Sequence, residues 1–550
     1  MPIAPLPILG GYERQRFRQF SPEDCANWTL ISDDSGKKKA AMYPTMGRSH
    51  VEFGGRNRLN FNDEPRAIYR SINYWYVIID DSVFRIDNQY NVVNITVSDK
   101  LATLNGNVFF DYIVAGNITF AAFVDGQNVY IYREPDSVLP GGQFYIVTDP
   151  KAPSNPSFIA TFGNRLVVSD TGSSQFNLST VLLDGNSFDA TTCFTIASSA
   201  VFAQEEGIIR QFAVLNNTLY IFTDFNVGIW SNITSQLVPA GGESAVTFPW
   251  KKSNTYSWNF GIADPKSLSV GFNMMAWLAK NKDGLIQFMV SNGGAPQKIS
   301  NKAIDVLIQK YSNSVTLSSQ TLNVFSCFLY QYENTIFYRV AAGRYLDECL
   351  LNQQQEGNSV EFNFDTKKWT RCIEVNGERN RIQQHVFFNN KHFVTVYGEK
   401  TIYEMSGRFY TNEITNPDAD NIQAENAYSV IPFRYERVTP IISQDDYSEF
   451  VTDYVQIDFV FGKETDYIDE VDVDVFNPHV ELYFSDDGGI SFVPADSREF
   501  SKLGVYRWRM RWYQLGASRN RVYKLISVSE APIVILGGVM DVRRVSGGAN

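Results

Sequence analysis

Apolar and polar positions along this chain alternate in short bursts, and between residues 72 and 405 one unit keeps returning: an apolar strand, a tight polar turn, a second apolar strand. The turns are Asp80-Asp81 in YVIIDDSVFRI, Asp125-Gly126 in FAAFVDGQNVYIY, Gly163-Asn164 in IATFGNRLVVS and Asn216-Asn217 in FAVLNNTLYIF. Asp283-Gly284, Glu333-Asn334 and Asn389-Asn390 follow in the same setting. Asn, Asp and Gly tolerate the positive φ that tight hairpin turns require. Seven such turns, roughly 40 to 65 residues apart, predict the blades of a β-propeller, four-stranded sheets set radially around a channel. The uneven spacing predicts insertions, at about 234–266 and 343–358. The first carries aromatics (VPAGGESAVTFPWKKSNTYSWNF) that suit either an interface or a locally packed loop. One helix is predicted inside the array: Ser300 as N-cap, then NKAIDVLIQKY with Ile304, Leu307, Ile308 and Tyr311 on one face.

Residues 427–550 continue the strand pattern in YSVIPFRYERV, YVQIDFVFG, VDVDVF, HVELYFS, GVYRWRMRWY, RVYKLISVS and PIVILGGVMDVR. These predict a β-sandwich of about 120 residues. Residues 1–65 read as irregular, because MPIAPLPILGG is punctuated by Pro and Gly. SDDSGKKKAAMYPTMGR reads as an exposed loop, and such an arm either wraps a neighbour or closes a ring. The polar stretch 410–426 marks the last boundary. The expected class is therefore mainly β: an arm (1–65), a propeller with inserted loops (66–425) and a C-terminal β-sandwich-like domain (426–550).

Composition narrows the function. Of 550 residues, 44% are hydrophobic and 14% aromatic, enough for a large core and weighted towards strand formers. Five cysteines (Cys25, Cys193, Cys327, Cys349, Cys372) are scattered with no CxxC pair, which argues for buried reduced thiols rather than disulfides or zinc. No signal peptide is expected after Met1, and no apolar run is long enough to span a membrane. The net charge of -12 argues against sequence-independent DNA affinity, although an acidic body suits a channel that DNA must pass without sticking. The four histidines (His50, His385, His392, His479) are too scattered for a metal or hydrolase triad, though His385 and His392 flank one turn. There is no nucleotide-binding or hydrolase motif, and no cofactor is expected.

Charge is concentrated near the C-terminus. Residues 445–474 hold eleven acidic residues, among them Asp466, Asp469, Glu470, Asp472 and Asp474, against Lys463 alone. Residues 498–524 hold eight basic residues against Glu499. In YRWRMRW, Arg507, Arg509 and Arg511 share one strand face, while Tyr506, Trp508, Met510 and Trp512 share the other, which is the core face. Three arrangements are open: solvated faces that partly neutralise each other, contact between an acidic and a basic face of neighbouring subunits, or a cation site among the acids. The candidate inter-subunit faces are Asp466, Asp469, Glu470, Asp472 and Asp474, and Arg507, Arg509, Arg511, Arg519 and Arg521. FSDDGGISF (484–492) fits an Asp-box, which in sialidase-like propellers is a hairpin turn held by Asp and Ser hydrogen bonds.

Several stretches resemble the packaged-DNA stabilization, or tail nozzle, proteins of short-tailed bacteriophages. MPIAPLPILGGY and Cys25 to Trp28 are similar to that family's opening, and RAIYRSINYWYVIIDDSVFRID (66–87) to its first blade. Leu285 to Tyr311 resembles a strand and Gly-rich turn leading into a helix. LYFSDDGGISF and RWYQLGASRNRVYKL, with Trp512, Leu515, Gly516, Arg519 and Arg521, are similar to its C-terminal signature. The resemblance implies a virion tail protein without catalysis, assembled in the host cytoplasm. About six copies would form a ring that extends the portal–adaptor channel. That ring would retain packaged DNA, conduct it at ejection without sequence readout, and meet a tail needle or spike proteins. No small-molecule substrate is implied. The competing reading is a propeller that binds or hydrolyses glycans. A sialidase-type enzyme needs several arginines converging on a carboxylate, with a Tyr nucleophile and a Glu partner, so the lining of the propeller's centre discriminates the two. A monomeric propeller that serves only as an interaction platform is a third reading, and formation of a ring would rule it out.

Overall fold

The structure is a computed structural model, and it describes residues 3–15, 17–32, 40–50, 59, 61–180, 188–199, 206–232, 250–315, 325–342, 359–415, 428–461, 478–500 and 507–544. Among these, seven blades surround one axis. Blade 1 spans Ala67–Arg70 to Val92–Asn94, blade 2 Phe109–Ala115 to Gln143–Ile146, blade 3 Pro156–Phe162 to Phe194–Ser199, and blade 4 Ile209–Leu215 to Trp250–Trp258. Blade 5 runs from Gly261–Ile262 to Gln297–Lys298 and blade 6 from Phe325–Tyr332 to Lys368–Cys372. Blade 7 takes Ile382–Phe388, Lys391–Val396 and Ile402–Ser406 from the array. Its fourth strand is Gly47–His50, which pairs antiparallel to Ile402–Ser406 with Tyr403 opposite His50. The arm closes the propeller on itself.

The apolar runs follow from this geometry. Each blade is covered on both faces by its neighbours, so its second strand is buried on both faces rather than alternating, and in blades 1 and 2 it is apolar at nearly every position. Trp75–Ile79 is buried at every position. Separate apolar clusters fill the gaps between successive blades, and the last joins blade 7 to blade 1, with Trp75 stacked on Phe393 at 5.0 Å. Polar clasps join the inner strands: Asp111 accepts from Thr161 N at 2.7 Å, and Gln384 accepts from Ile68 N while donating to Arg66 O, both at 2.8 Å.

All seven turns read from the sequence are present, one per blade, but at two different places. Gly163-Asn164, Asn216-Asn217, Glu333-Asn334 and Asn389-Asn390 join the first and second strands. Asp80-Asp81, Asp125-Gly126 and the turn at Asp283-Gly284 join the second and third. This switch accounts for part of the uneven spacing. The insertion at 234–266 lies partly outside the described residues. Its end is the fourth strand of blade 4, where Trp250 and Trp258 are buried, so these aromatics pack inside the propeller. The insertion at 343–358, Cys349 and the acidic strand VDVDVF lie outside the described residues. The helix is present as Lys302–Val315, with Ile304, Leu307 and Ile308 buried. Its cap is Asn301, not Ser300: Asn301 Oδ1 accepts from Ile304 N at 2.9 Å, while Ser300 turns to Asp305.

The irregular reading of residues 1–65 does not hold. Ile3–Leu6, Trp28–Ser32 and Ala40–Pro44 join Phe450–Phe461, Arg507–Tyr513 and Ile533–Arg544 in one sheet of the C-terminal sandwich. Pro5 lies in the short edge strand Ile3–Leu6 and Pro44 is the last residue of Ala40–Pro44, places that tolerate a missing N–H. The opposing sheet contains Tyr428–Val438, Val522–Ser529, His479–Ser485 and Val493–Glu499, with Trp28, Met42, Tyr435, Phe459, Trp512 and Leu525 between the two. Asp24–Ala26 bridges the sandwich to the propeller. It pairs antiparallel with Tyr428–Val438 and touches Lys368–Cys372 of blade 6 in parallel register, so one sheet passes from blade to sandwich.

Candidate functional site: the propeller cavity and the arginine face

The inner strands of the seven blades enclose a central cavity of about 1500 Å³. A duplex roughly 20 Å across rises about 3.4 Å per base pair and so fills about 1,000 Å³ for each one, which leaves room in this volume for fewer than two base pairs. Its charged lining is balanced: Arg70 and Lys266 against Asp111 and Glu333. Burial pushes Asp111 up to about 6 despite hydrogen bonds from Tyr112 and Thr161. Enclosure lowers Lys266 to about 8. His385 and His392 do meet, with Nε2 of one 2.8 Å from Nδ1 of the other, and Phe328 stacks on His385 at 4.8 Å. Burial lowers both imidazoles, His392 to about 4, so the pair is neutral near pH 7. Arg70 is the one arginine among the described lining residues, so no cluster of arginines converges there on a carboxylate. Among the described residues no group of three or more His, Cys, Asp or Glu could hold a metal ion.

The first-to-second turns of the blades lie at one end of this cavity. Exposed apolar side chains gather around that mouth: Ile72 from blade 1, Val114 from blade 2, Val270 and Phe272 from blade 5, and Phe387 from blade 7. Phe272 occupies the first turn position with φ 50°, where blades 4 and 7 place Asn. Sequence reasoning missed this rim because each blade contributes only one or two of its residues.

The arginine face is formed largely as the alternation predicts. Arg507–Tyr513 runs antiparallel to Phe450–Phe461, with Met510 and Trp512 buried and Arg507, Arg509 and Arg511 exposed. Asp458 pairs with Arg507 at 3.2 Å and with Arg509 at 3.8 Å. Arg511 donates to Gln456 at 2.7 Å and lies over Tyr454. Arg519 is exposed but lies toward the other end of Phe450–Phe461, where its neighbour Ser518 pairs with Phe450. Arg521 belongs elsewhere: it is 1% exposed, donates to Asp486 at 2.7 Å and Leu515 O at 2.6 Å, and stacks over Phe484. Its place is inside the sandwich, where it closes the loop of the C-terminal signature. Asp466, Asp469, Glu470, Asp472 and Asp474 lie outside the described residues.

The Asp-box forms the hairpin turn expected. Asp487 accepts from Ser485 Oγ at 2.6 Å and from Ile490 N and Ser491 N, and these bonds overcome desolvation to hold its carboxyl well below the usual range. The turn packs against Gln19 and Pro22 of the arm.

A group that the sequence did not reveal joins the arm to both domains. Arg437, fully buried, donates to Ile8 O at 2.6 Å, Asp24 O at 3.0 Å and Glu23 at 2.8 Å. Arg371 pairs with Asp24 at 2.7 Å and Glu436 at 3.3 Å, and buried Arg48 pairs with Glu374 at 2.9 Å. Apart from Arg371 and Glu436, which are 65 residues apart, these partners stand hundreds of residues apart, so no local pattern announces them.

Comparison with known proteins supplies the remaining evidence. A search of curated proteins returns no match. Among solved structures, the Dos1 propeller is similar at 11% identity and a TM-score of 0.34, covering 71% of this chain and 96% of that one. The WD40 domain of Neurospora crassa Pan2 is similar at 8% identity and a TM-score of 0.31, covering 70% and 90%. A family 43 arabinoxylan arabinofuranohydrolase from Bacillus subtilis is similar at 9% and 0.22, covering 97% and 99%. At these scores the likenesses carry no argument about function. The phage stabilisation family model, described as bacteriophage P22 Gp10, beta-propeller, matches residues 4–326. That span covers the arm, the first five blades and the helix, so this chain belongs to the phage stabilisation family and is a structural protein of the phage tail.

Proposed function

We propose that the chain is a subunit of the tail nozzle, assembled as a ring of about six copies below the portal and its adaptor. There it retains packaged DNA and conducts it at ejection. The family match over residues 4–326 carries this reading. The geometry is in keeping with it: the cavity within one propeller cannot hold a duplex, so a DNA passage must lie between copies around the ring axis. The arm, propeller and sandwich are tied by a shared sheet and buried ion pairs, which suits a part that must resist pressure from packed DNA.

Retention is tested directly with heads packaged in the absence of this chain. Their DNA should become nuclease-accessible within the purification time, and adding the purified protein should restore protection. Heads that hold their DNA equally well with and without the protein would contradict the retention role. Arg507→Glu, Arg509→Glu and Arg511→Glu, combined, should weaken association between copies or with the adaptor, and the loss should shrink at high salt. Unchanged assembly would remove the arginine face from the interface. The glycan reading predicts release of sugar from host polysaccharide, and the nozzle reading predicts none.

A further inference from the structure

The sheet that passes from blade 6 to the sandwich gathers charged side chains on one face. Asp24 lies opposite Val438, and Val438 lies opposite Lys524. Two residues along, Ala26 lies opposite both Glu436 and Arg371. Residues paired across strands, or two apart on one strand, share a face. Asp24, Glu436, Arg371 and Lys524 therefore stand together. The arm crosses this face and adds Arg14 and Arg18, leaving a cleft of about 250 Å³ between arm, blade and sandwich.

The charges of this cleft do not cancel. Four cations (Arg14, Arg18, Arg371 and Lys524) face two carboxylates (Asp24 and Glu436), in a chain whose net charge is -12. Both carboxylates are already served: Arg371 holds Asp24 at 2.7 Å and Glu436 at 3.3 Å, and Arg434 reaches Glu436 at 2.6 Å. Burial alone would raise the Glu436 carboxyl, yet Lys524, Arg371 and Arg434 hold it below its usual range. Arg18 and Lys524 are left over. Arg18 donates to Gly489 O at 3.3 Å, and the Lys524 ammonium lies 5.7 Å from the centre of the Phe492 ring. Neither pairs with a carboxylate among the described residues. A cleft with an excess of one sign and low-dielectric walls concentrates its field on an incoming group of the other sign.

Size and charge select that group. Guanidinium forks suit a carboxylate. A phosphomonoester carries about 1.5 to 2 negative charges near pH 7, and it would meet Asp24 and Glu436 as like charges. A phosphodiester carries one charge but is flanked by a sugar on each side, too bulky for this volume. We infer that the cleft takes an acidic side chain of a partner protein, whose carboxylate is received by Arg18 and Lys524. This contact does not depend on the ring reading above.

A fluorescent hexaglutamate peptide is the probe, titrated into the full-length protein at low ionic strength and read by anisotropy. Arg18→Gln with Lys524→Gln should weaken its binding about tenfold, the worth of two partly exposed charge pairs. The thermal midpoint should stay within about 2 °C of the unaltered chain, because neither side chain holds an internal ion pair. If the double variant unfolds, Lys524→Gln alone is read, with about a threefold loss expected. Arg507→Gln, Arg509→Gln and Arg511→Gln, combined, remove more charge from a different face and should leave the affinity within about twofold. A peptide that does not bind, or that loses its affinity with the Arg507, Arg509 and Arg511 changes instead, would overturn the inference. Competition at constant ionic strength separates the anions. Free glutarate should displace the peptide at lower concentration than inorganic phosphate or an oligothymidylate, and the reverse order would identify a phosphate site and overturn the inference too.

Discussion

Arg437 shows how single residues hold this molecule together. Its guanidinium is fully buried, and its donors are spread over carbonyls of the arm and the Glu23 carboxylate. Such a fork is geometrically suited to several acceptors at once. Arg437→Met should cost about 3–5 kcal/mol, because Glu23 is left charged and buried without its partner. Adding Glu23→Gln should recover much of that loss. Denaturant unfolding measures both, and a loss under about 1 kcal/mol would contradict the role assigned. The imidazole pair in the cavity makes a second prediction. Both histidines have folded pKa values below the unfolded value near 6.5, so between about 4 and 6.5 the unfolded chain binds more protons. Stability should therefore fall as pH drops through that window. Asp111 has the opposite sign: its folded value of about 6 means the native state binds more protons, so its contribution is lost as pH rises from about 4 to 6. His392→Gln should flatten the acid side of the stability curve, and superimposable curves would count against it.

At the level of elements, the closing strand matters most. Gly47–His50 completes blade 7, and Gly47 lies so close to Phe409 and Thr411 that a Cβ would clash with their carbonyl oxygens. Arg48 and His50 then tie the strand to Glu374 and Glu413. Burial alone would raise Glu413, but the bonds from His50 outweigh it and hold the carboxyl below its usual range. A chain lacking residues 1–50 should show no cooperative unfolding transition, since it loses strands from both the last blade and the sandwich. A soluble, cooperatively folded truncation would contradict this. The same strand shows what the sequence could and could not disclose. Hairpin turns such as Asn389-Asn390 were legible because their chemistry is local: both residues adopt positive φ that Asn accepts. The alternation of Arg507, Arg509 and Arg511 was legible for the same reason. The pairing of His50 with Tyr403 was not, because nothing in four residues of the arm names a partner more than three hundred positions away. Arg521 misled for a related reason: a charged residue among exposed arginines gave no sign that Asp486 and two carbonyls would enclose it.

The whole molecule is a propeller locked to a sandwich through one continuous sheet, with the arm threaded into both. Seven interblade clusters distribute the apolar core around the axis, and the arm supplies the closure that a ring of blades needs. Among the described residues the face of Arg507, Arg509 and Arg511 is exposed on the sandwich. A chain built this way transmits force as one body, which is in keeping with the proposed role of holding DNA and then letting it through. The most direct test of that account is the mass of the purified protein in solution, alone and with a portal–adaptor complex. The account predicts a closed ring of about six copies seated on that complex. A chain that remains monomeric and ignores the complex would contradict it.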